Sequence, residues 1–236
     1  MDILEARLIS RIERTKTTES FRFLPEKKIN FLPGQFLQAI FNPVNLADKE
    51  LNKYLSFSSS PTKEYIEITK RLSDSKFSSA LKALKIGDKL SFKAPLGNCV
   101  FNKDYKRIVF LIGGIGITPV VSILEYICDL KLTNEVILFY SNKEESDIAF
   151  KKELDEWALA NKNIKVIHCV TEIKPCDNSC IFGRIDKNLI LEHVQNLAGA
   201  TVFIFGPPKM VEAMKLISLD CGASLENIKT ESFIGY

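Results

Sequence analysis

Long apolar runs are absent from this chain of 236 residues, and so is a basic N-terminus followed by an apolar segment. No stretch approaches the roughly 20 apolar residues that a membrane-spanning helix needs, and residues 1–7 do not have the pattern of a secretory signal. We therefore expect a cytoplasmic protein without a membrane span. At this length the chain can bury a substantial core, as one large domain or two small ones.

Metal-binding patterns are lacking as well. The chain has two histidines and six cysteines, and only Cys176 and Cys180 are close in sequence. Their spacing does not suit a zinc site, and the four-cysteine spacing of an iron–sulfur cluster is absent. We expect no metal centre and reduced thiols. The net charge of +3 gives no reason to predict a nucleic-acid partner.

The hydrophobic pattern divides the chain near residue 104. Residues 1–103 contain short alternating runs punctuated by Gly and Pro, which predict an antiparallel β-barrel with one helix over 77–84. In residues 104–236, strand-like and helix-like segments alternate, which predicts an α/β domain with a parallel sheet. Its predicted strands are 108–112, 136–140, 165–170, 201–205 and 228–233, and its predicted helices are 117–130, 147–160, 186–197 and 208–221.

The most informative stretch is a glycine-rich turn, Gly113-Gly114-Ile115-Gly116-Ile117-Thr118-Pro119, which directly follows the predicted strand 108–112. Glycines let a backbone approach a phosphate closely, and the N-terminus of the next helix offers free N–H donors and a partial positive charge. The spacing is not the usual G-x-G-x-x-G motif. Taken alone, the turn indicates either an anionic nucleotide site or a tight connection without a ligand.

Other motifs follow one another in a fixed order. They are residues 31–36, 53–61, 87–88, 94–97, the glycine turn, 205–210 and 231–236. This series resembles the ferredoxin–NADP reductase superfamily over essentially the whole chain. The resemblance implies that the barrel binds FAD, with FMN as the alternative, and that the α/β domain binds NAD(P)H.

The resemblance implies flavin contacts on two strands and one helix. Lys53 stands where the family typically has an arginine that neutralises the flavin phosphates, and a lysine keeps the charge but loses the bidentate fork. Leu55 replaces the tyrosine that usually packs on the flavin ring, while Tyr54 is one residue early and would point to the opposite face of a strand. Ser56 matches a catalytic residue near flavin N5. The other implied contacts are Thr69, Lys70, Ser75, Ser78 and Ser79.

The nicotinamide-nucleotide contacts implied by the resemblance include Gly113, Gly114, Gly116 and Thr118 of the glycine turn. Ser141 and Lys143 fall in the region that reads the adenosine ribose, where Lys143 either pairs with a 2′-phosphate or is a solvated charge. The adjacent acidic pair at 144–145 would repel such a phosphate, so the choice between NADH and NADPH stays open.

The last implied contacts lie in the C-terminal part of the chain. Phe205, followed by Gly206 and Pro207, stands where the family often has a cysteine beside the nicotinamide. Its ring either packs in the sheet or restricts nicotinamide entry. Glu231 and Tyr236 match the family's terminal acidic and aromatic positions and are implied as catalytic. Tyr236 either stacks on the flavin or is a frayed chain end.

The resemblance implies an enzyme that transfers hydride from NAD(P)H to FAD and passes the electrons to an external acceptor. That acceptor is a ferredoxin, a flavodoxin, an oxygenase component or a small molecule. Two alternatives remain open. In the first, the chain is a reductase that uses flavin as a diffusing substrate. In the second, it is a non-catalytic redox subunit that binds flavin or nucleotide and in which Phe205 blocks the nicotinamide.

Overall fold

A computed structural model of the chain describes residues 3–175 and 177–233. The chain forms two compact units. The first unit comprises the chain up to Phe101 together with Thr118–Asp129, and the second comprises Asn102–Ile117 and the chain from Leu130 onward. The predicted boundary at 103/104 lies near the end of the first segment, but it assigns residues 118–129 to the other unit.

In its segment up to Phe101, the first unit is an antiparallel sheet with one helix. Its elements are β1 (Ile3–Thr15), β2 (Thr18–Pro25), β3 (Phe36–Ile40), β4 (Asn52–Ser56), β5 (Ile66–Arg71), α1 (Lys76–Ala83) and β6 (Lys89–Leu96). The strand order is β4-β3-β6-β1-β2-β5. An antiparallel bridge between Phe57 and Ile68 joins the two ends of this order. The predicted antiparallel barrel is confirmed.

The core of the first unit is rich in aromatic rings. Phe23 and Phe92 meet edge to face with ring centroids 5.1 Å apart, and Phe77 of α1 packs against Phe41 at 5.4 Å. Buried residues alternate with more exposed ones along β6, as expected for a strand buried on one face. The helix therefore lies against the barrel through its buried positions Phe77, Ser78 and Leu81.

The second unit is a parallel sheet covered by helices. Its strands are β7 (Arg107–Gly113), β8 (Glu135–Asn142), β9 (Ile164–Val170), β10 (Ile181–Phe182), β11 (Thr201–Gly206) and β12 (Ile228–Ser232), in the order β10-β9-β8-β7-β11-β12. Its helices are α3 (Lys151–Ala160), α4 (Lys187–Val194) and α5 (Pro208–Asp220); α2 (Thr118–Asp129) belongs to the first unit. The predicted α/β domain with a parallel sheet is confirmed.

Both faces of the parallel sheet are covered. On one face, a core that includes Leu111, Phe139 and Ile204 packs against α4 and α5. On the other face, His168 of β9 and Asp155 of α3 lie 2.8 Å apart between Nε2 and Oδ1. Because β8 and β11 lie on opposite sides of β7, the strand order reverses there, and ligands of such sheets bind at the carboxyl ends of the strands beside that reversal.

Two details differ from the sequence prediction. The helix predicted from residue 147 begins at Lys151, because a 3-10 turn at Glu145–Asp147 precedes it and Phe150 adopts a left-handed conformation with φ of 60°. The two-residue strand β10 was not predicted, since two residues carry no periodicity. Within the described ranges, no helix is long and apolar enough to cross a membrane.

Candidate functional sites

Exposure differs widely along the predicted flavin strand, β4, even between side chains of one face. Tyr54 is 64% exposed, whereas Ser56, two residues on and on the same face, is 5% exposed. Lys53 and Leu55 share the face opposite to Tyr54, since side chains alternate along a strand, and Leu55 packs against the barrel core. Tyr54 instead meets Phe36 edge to face, with ring centroids 5.9 Å apart. Leu55, not Tyr54, therefore stands on the face that carries Lys53.

A pair of lysines gives the first unit a concentration of positive charge. Lys70 of β5 is partly buried, and both burial and the charge of Lys53 lower the pKa of its ammonium group. Within the part of the chain that the structure describes, neither side chain has a hydrogen bond or an ion pair. Two cations near enough to repel each other, without a paired carboxylate, are a donor set that an anion such as a diphosphate would satisfy. The residues present therefore fit the phosphates of FAD.

The start of α1 is capped by its own serines. Ser75 is the N-cap, and its hydroxyl accepts a hydrogen bond from the Ser78 N–H at 3.3 Å. The Ser78 hydroxyl accepts from the Ser73 N–H at 3.2 Å, and the Ser79 N–H donates to the Ser75 carbonyl. Ser78 is fully buried. The three predicted serines thus stabilise the helix N-terminus, where the helix dipole also favours an anion.

Thr69 lies in a buried polar network. Its hydroxyl is 2.6 Å from that of Ser20 and 2.7 Å from that of Ser58. Next to it Glu67, 2% exposed, accepts from Arg22 at 2.7 Å and from Arg14 at 3.1 Å. The predicted contact Thr69 therefore has its hydroxyl engaged with neighbouring strands, whereas Lys70, the next residue, stands on the opposite face.

In the second unit, three glycines bring the ends of β7 and β11 together. A Cβ at Gly116 would lie 2.6 Å from the Phe205 carbonyl oxygen, and one at Gly206 would lie 3.2 Å from the Gly113 nitrogen. A Cβ at Gly113 would meet the Met210 sulfur and, at 3.2 Å, Pro207. These strand ends flank the reversal in strand order, so the predicted residues Gly113, Gly116, Gly206 and Pro207 are together where this sheet type binds ligands.

Gly114 has a different role from its neighbours. Its φ is +52°, and no atom lies within 4 Å of where a Cβ would be. The left-handed conformation turns the chain at the end of β7 and leaves the turn open on that side. The chain then passes through a 3-10 turn to Thr118, which is buried at the start of α2. Thr118 groups with the first unit and Gly113–Gly116 with the second.

The Phe205 ring is fully buried and lies 5.7 Å from the ring of Phe203. Phe203 in turn stacks on Phe110 at 5.2 Å. The sequence left open whether this ring packs in the sheet or restricts nicotinamide entry. In the structure the ring packs in the sheet. Glu231 of β12 pairs in register with Phe205, and burial raises the pKa of its carboxyl group to about 7. Tyr236 lies outside the described residues.

The carboxyl end of β8 carries the predicted ribose contacts. Ser141 is half-buried and pairs in register with Gly113. Lys143 is exposed, and its ammonium group is 3.1 Å from Glu172 Oε1. The backbone holds this pair together, since the Glu172 N–H donates to the Lys143 carbonyl at 2.8 Å. Sequence reasoning missed Glu172, although the equivalent positions after β8 and β9 meet at one edge of a parallel sheet.

Asn142 was also missed as a candidate. Its side chain is buried at the carboxyl end of β8, and Nδ2 has no hydrogen-bond partner among the described residues. A buried amide donor beside Ser141 is what a polar ligand or a bound water at this strand end would satisfy. Across the described part of the chain, no group of three or more His, Cys, Asp or Glu residues could hold a metal ion.

Comparison with known families matches both units. Residues 5–101 match the oxidoreductase FAD-binding domain, and residues 110–215 match the oxidoreductase NAD-binding domain. These matches define a chain built from one FAD-binding and one NAD-binding oxidoreductase domain. The chain belongs to the ferredoxin–NADP reductase superfamily, which confirms the family and the cofactor domains predicted from the motifs.

Individual relatives agree with this assignment. The chain is 25% identical over 211 residues to terephthalate 1,2-dioxygenase, reductase component 1, from a Comamonas species, and the match covers 88% of this chain but 60% of that relative. It is similar to the CS-b5R domains of human Ncb5or in the NAD+ form (TM-score 0.81, 25% identity, 97% of this chain and 69% of the other). The fold also matches a ferredoxin NADP+ reductase from Neisseria gonorrhoeae with bound FAD and NADP (TM-score 0.81, 19% identity, 98% and 99%).

Proposed function

We propose that this chain is an NAD(P)H-dependent flavin oxidoreductase that passes electrons to a separate acceptor. The observation that carries the proposal is the Lys53–Lys70 pair, two neighbouring cations without an acidic partner in the FAD-binding unit. When bound, the flavin accepts a hydride from a reduced nicotinamide and can release the electrons onward. The chain's own task is to bind both nucleotides and hold them in reactive alignment.

Several of the predicted residues receive a proposed role on this basis. Lys53 and Lys70 neutralise the flavin phosphates, with Ser75, Ser78 and Ser79 placing a helix N-terminus beside them. Ser56, whose hydroxyl has no hydrogen-bond partner among the described residues, is proposed to hydrogen-bond near flavin N5. In the second unit, the glycines at the ends of β7 and β11 allow the nicotinamide nucleotide to approach the backbone. Glu231 is proposed to supply a titratable carboxyl group there.

The preferred donor is proposed to be NADH. The one lysine at the predicted ribose position is already paired with Glu172 at 3.1 Å, and residues 144 and 145 add two further carboxylates. A 2′-phosphate would have to displace or approach these negative charges, whereas a 2′-hydroxyl can donate a hydrogen bond to a carboxylate. Exposed charges contribute about 0.2–1 kcal/mol each, so Glu172→Gln should strengthen binding of 2′-phospho-ADP-ribose by about 2- to 5-fold and leave ADP-ribose unchanged.

The acceptor is proposed to be a separate redox protein. The reductase component of terephthalate 1,2-dioxygenase among the relatives supports an oxygenase component or its electron carrier as the partner. The cytoplasm is the proposed compartment, supported by the thiol form of the five described cysteines.

The deciding experiment is an anaerobic absorbance titration of the purified protein, as isolated and after addition of FAD, with NADH and then NADPH. We expect the flavin band to bleach with NADH at lower concentrations than with NADPH. A yellow protein that neither nucleotide bleaches would refute the enzyme and favour the binding subunit. A protein that oxidises NADH only with excess free flavin would favour the flavin reductase.

Variants of the lysine pair test the observation on which the proposal rests. A hydrogen bond to a charged group contributes about 1.5–3 kcal/mol, so Lys70→Ala and Lys53→Ala should each weaken FAD binding by about 10-fold or more. Lys82→Ala, which removes an exposed lysine from the last turn of α1, is the matched control. Equal FAD affinity in Lys70→Ala, Lys53→Ala and Lys82→Ala would contradict the assignment of the phosphate site.

A further inference from the structure

Helix α2 is attached to the barrel by buried hydrogen bonds. The Ser122 hydroxyl donates to the Ser59 carbonyl at 2.7 Å, and the Ser60 N–H donates to Glu125 Oε2 at 2.6 Å. Ser59, Ser60 and Ser122 are all buried. The serine segment, residues 58–60, thus makes two hydrogen bonds with α2, one as acceptor and one as donor. Their partners Ser122 and Glu125 are three residues apart, which places them on one face of the helix.

Ion pairs reinforce the same contact. Lys63 is 3.3 Å from Glu125 Oε1 and 3.0 Å from Asp129 Oδ2, and the Thr62 hydroxyl donates to Asp129. Burial raises the pKa of Glu125, while the Ser60 N–H and Lys63 oppose that rise. Both carboxylate oxygens of Glu125 are therefore engaged by the loop that follows β4.

The serine segment is fixed from the barrel side as well. The Glu67 N–H donates to the Ser59 hydroxyl at 2.9 Å, and the Ser58 N–H donates to the Glu67 carbonyl at 2.8 Å. Glu67 itself is held by Arg14 and Arg22. The segment is consequently clamped between β5 and α2, two residues after Ser56 along the chain.

We propose that Ser122 and Glu125 are positioning residues for hydride transfer. They fix α2, whose first residue is Thr118, in one register against the strand that ends at Ser56. This inference rests on the proposed function, in which Ser56 contacts the flavin, and on the nicotinamide-nucleotide contact that the family resemblance implies for Thr118. A misplacement of about 1 Å between reacting groups can cost about 100-fold in rate, so bonds remote from both nucleotides control the rate without contributing to either affinity.

The test compares Glu125→Ala, Glu125→Gln and Ser122→Ala with the parent and with Glu64→Gln, a control that alters an exposed carboxylate paired with Lys28. Three quantities are measured: the anaerobic rate of flavin reduction by saturating NADH, the dissociation constants of FAD and of 5′-AMP, and the hydrogen-exchange rate of the Ser60 amide in the flavin-free protein. Glutamine keeps an oxygen acceptor for the Ser60 N–H, whereas alanine does not.

We expect Glu125→Ala and Ser122→Ala to lower the reduction rate by about 10-fold or more, with both dissociation constants within about 2-fold of the parent. The Ser60 amide should exchange at least 10-fold faster in Glu125→Ala. In Glu125→Gln, both the reduction rate and the amide exchange rate should return most of the way to the parent values. Unchanged reduction rates, or rates that fall only in step with FAD affinity, would overturn the inference alone. A parent protein whose flavin NADH does not reduce would overturn the proposed function and this inference with it.

Discussion

A methyl group added to the glycine turn should be costly at Gly116 and mild at Gly114. At Gly116 the new Cβ would lie 2.6 Å from the Phe205 carbonyl oxygen and 2.7 Å from its carbon, where ordinary contacts begin at 3.4 Å. The two backbones must therefore separate by about 0.8 Å. Phe205 cannot yield easily, because β11 is held in register on both sides, by Ile112 of β7 and Glu231 of β12.

The magnitude follows from overpacking of a rigid backbone. Such insertions cost about 1–3 kcal/mol, and the absence of a flexible side chain to move places Gly116→Ala near the upper end. At about 2–4 °C per kcal/mol for a chain of this size, we expect the melting temperature to fall by about 6–12 °C. Gly114→Asn is the matched control, because its φ of +52° suits asparagine and no atom lies within 4 Å of its Cβ.

The assay is thermal unfolding of the flavin-loaded protein followed by circular dichroism, with 5′-AMP affinity measured on the folded variants. Gly114→Asn should melt within about 3 °C of the parent, which corresponds to about 1 kcal/mol. If Gly116→Ala melted as close to the parent as Gly114→Asn, the close approach of the glycine turn to β11 would not be the reason for glycine at this position.

Three further predictions concern single side chains. Burial raises the pKa of Glu231 from 4.5 to about 7. Between these values the folded chain retains a proton that the unfolded chain releases, so the free energy of unfolding should fall as pH rises from 5 to 7. Urea denaturation at several pH values should show a flatter slope for Glu231→Gln, and an equal slope in both proteins would contradict the prediction. Glu67→Ala should lower the free energy of unfolding by about 3–5 kcal/mol, because it removes the buried carboxylate that pairs with Arg14 and Arg22. A loss of less than about 1 kcal/mol in urea denaturation would count against a structural ion pair. Ser75→Ala should cost about 1 kcal/mol by removing the N-cap of α1, whereas Ser75→Asp should retain it in the same urea assay.

Local sequence patterns predicted the strands and helices well where the pattern of apolar residues is unambiguous. The run 108–112 is continuously apolar and became the central strand Arg107–Gly113 of the parallel sheet, since a strand buried on both faces has no polar side. The glycine turn after it predicted a close approach of two backbones, which Gly116 makes with Phe205. These features depend on neighbours along the chain, which the sequence displays directly.

Features that depend on distant residues were beyond local patterns. Nothing near Glu125 in sequence indicates that it accepts from the Ser60 N–H, 65 positions away. The pairing of Lys143 with Glu172 likewise requires β8 and β9 to be neighbours. The late start of α3 reflects the left-handed Phe150, a conformation that aromatic residues rarely adopt and that helix propensity cannot anticipate.

The attachment of α2 to the barrel makes the second unit discontinuous in sequence, with Asn102–Ile117 on one side of the helix and Leu130 onward on the other. During synthesis, the barrel cannot complete its own contacts until the ribosome has already made the first strand of the nucleotide unit. A genetic cut near residue 104 would therefore leave α2, which belongs to the first unit, on the fragment that carries the second unit. Chimaeras between relatives should exchange residues 118–129 together with the barrel, not with the sheet that flanks them in the gene.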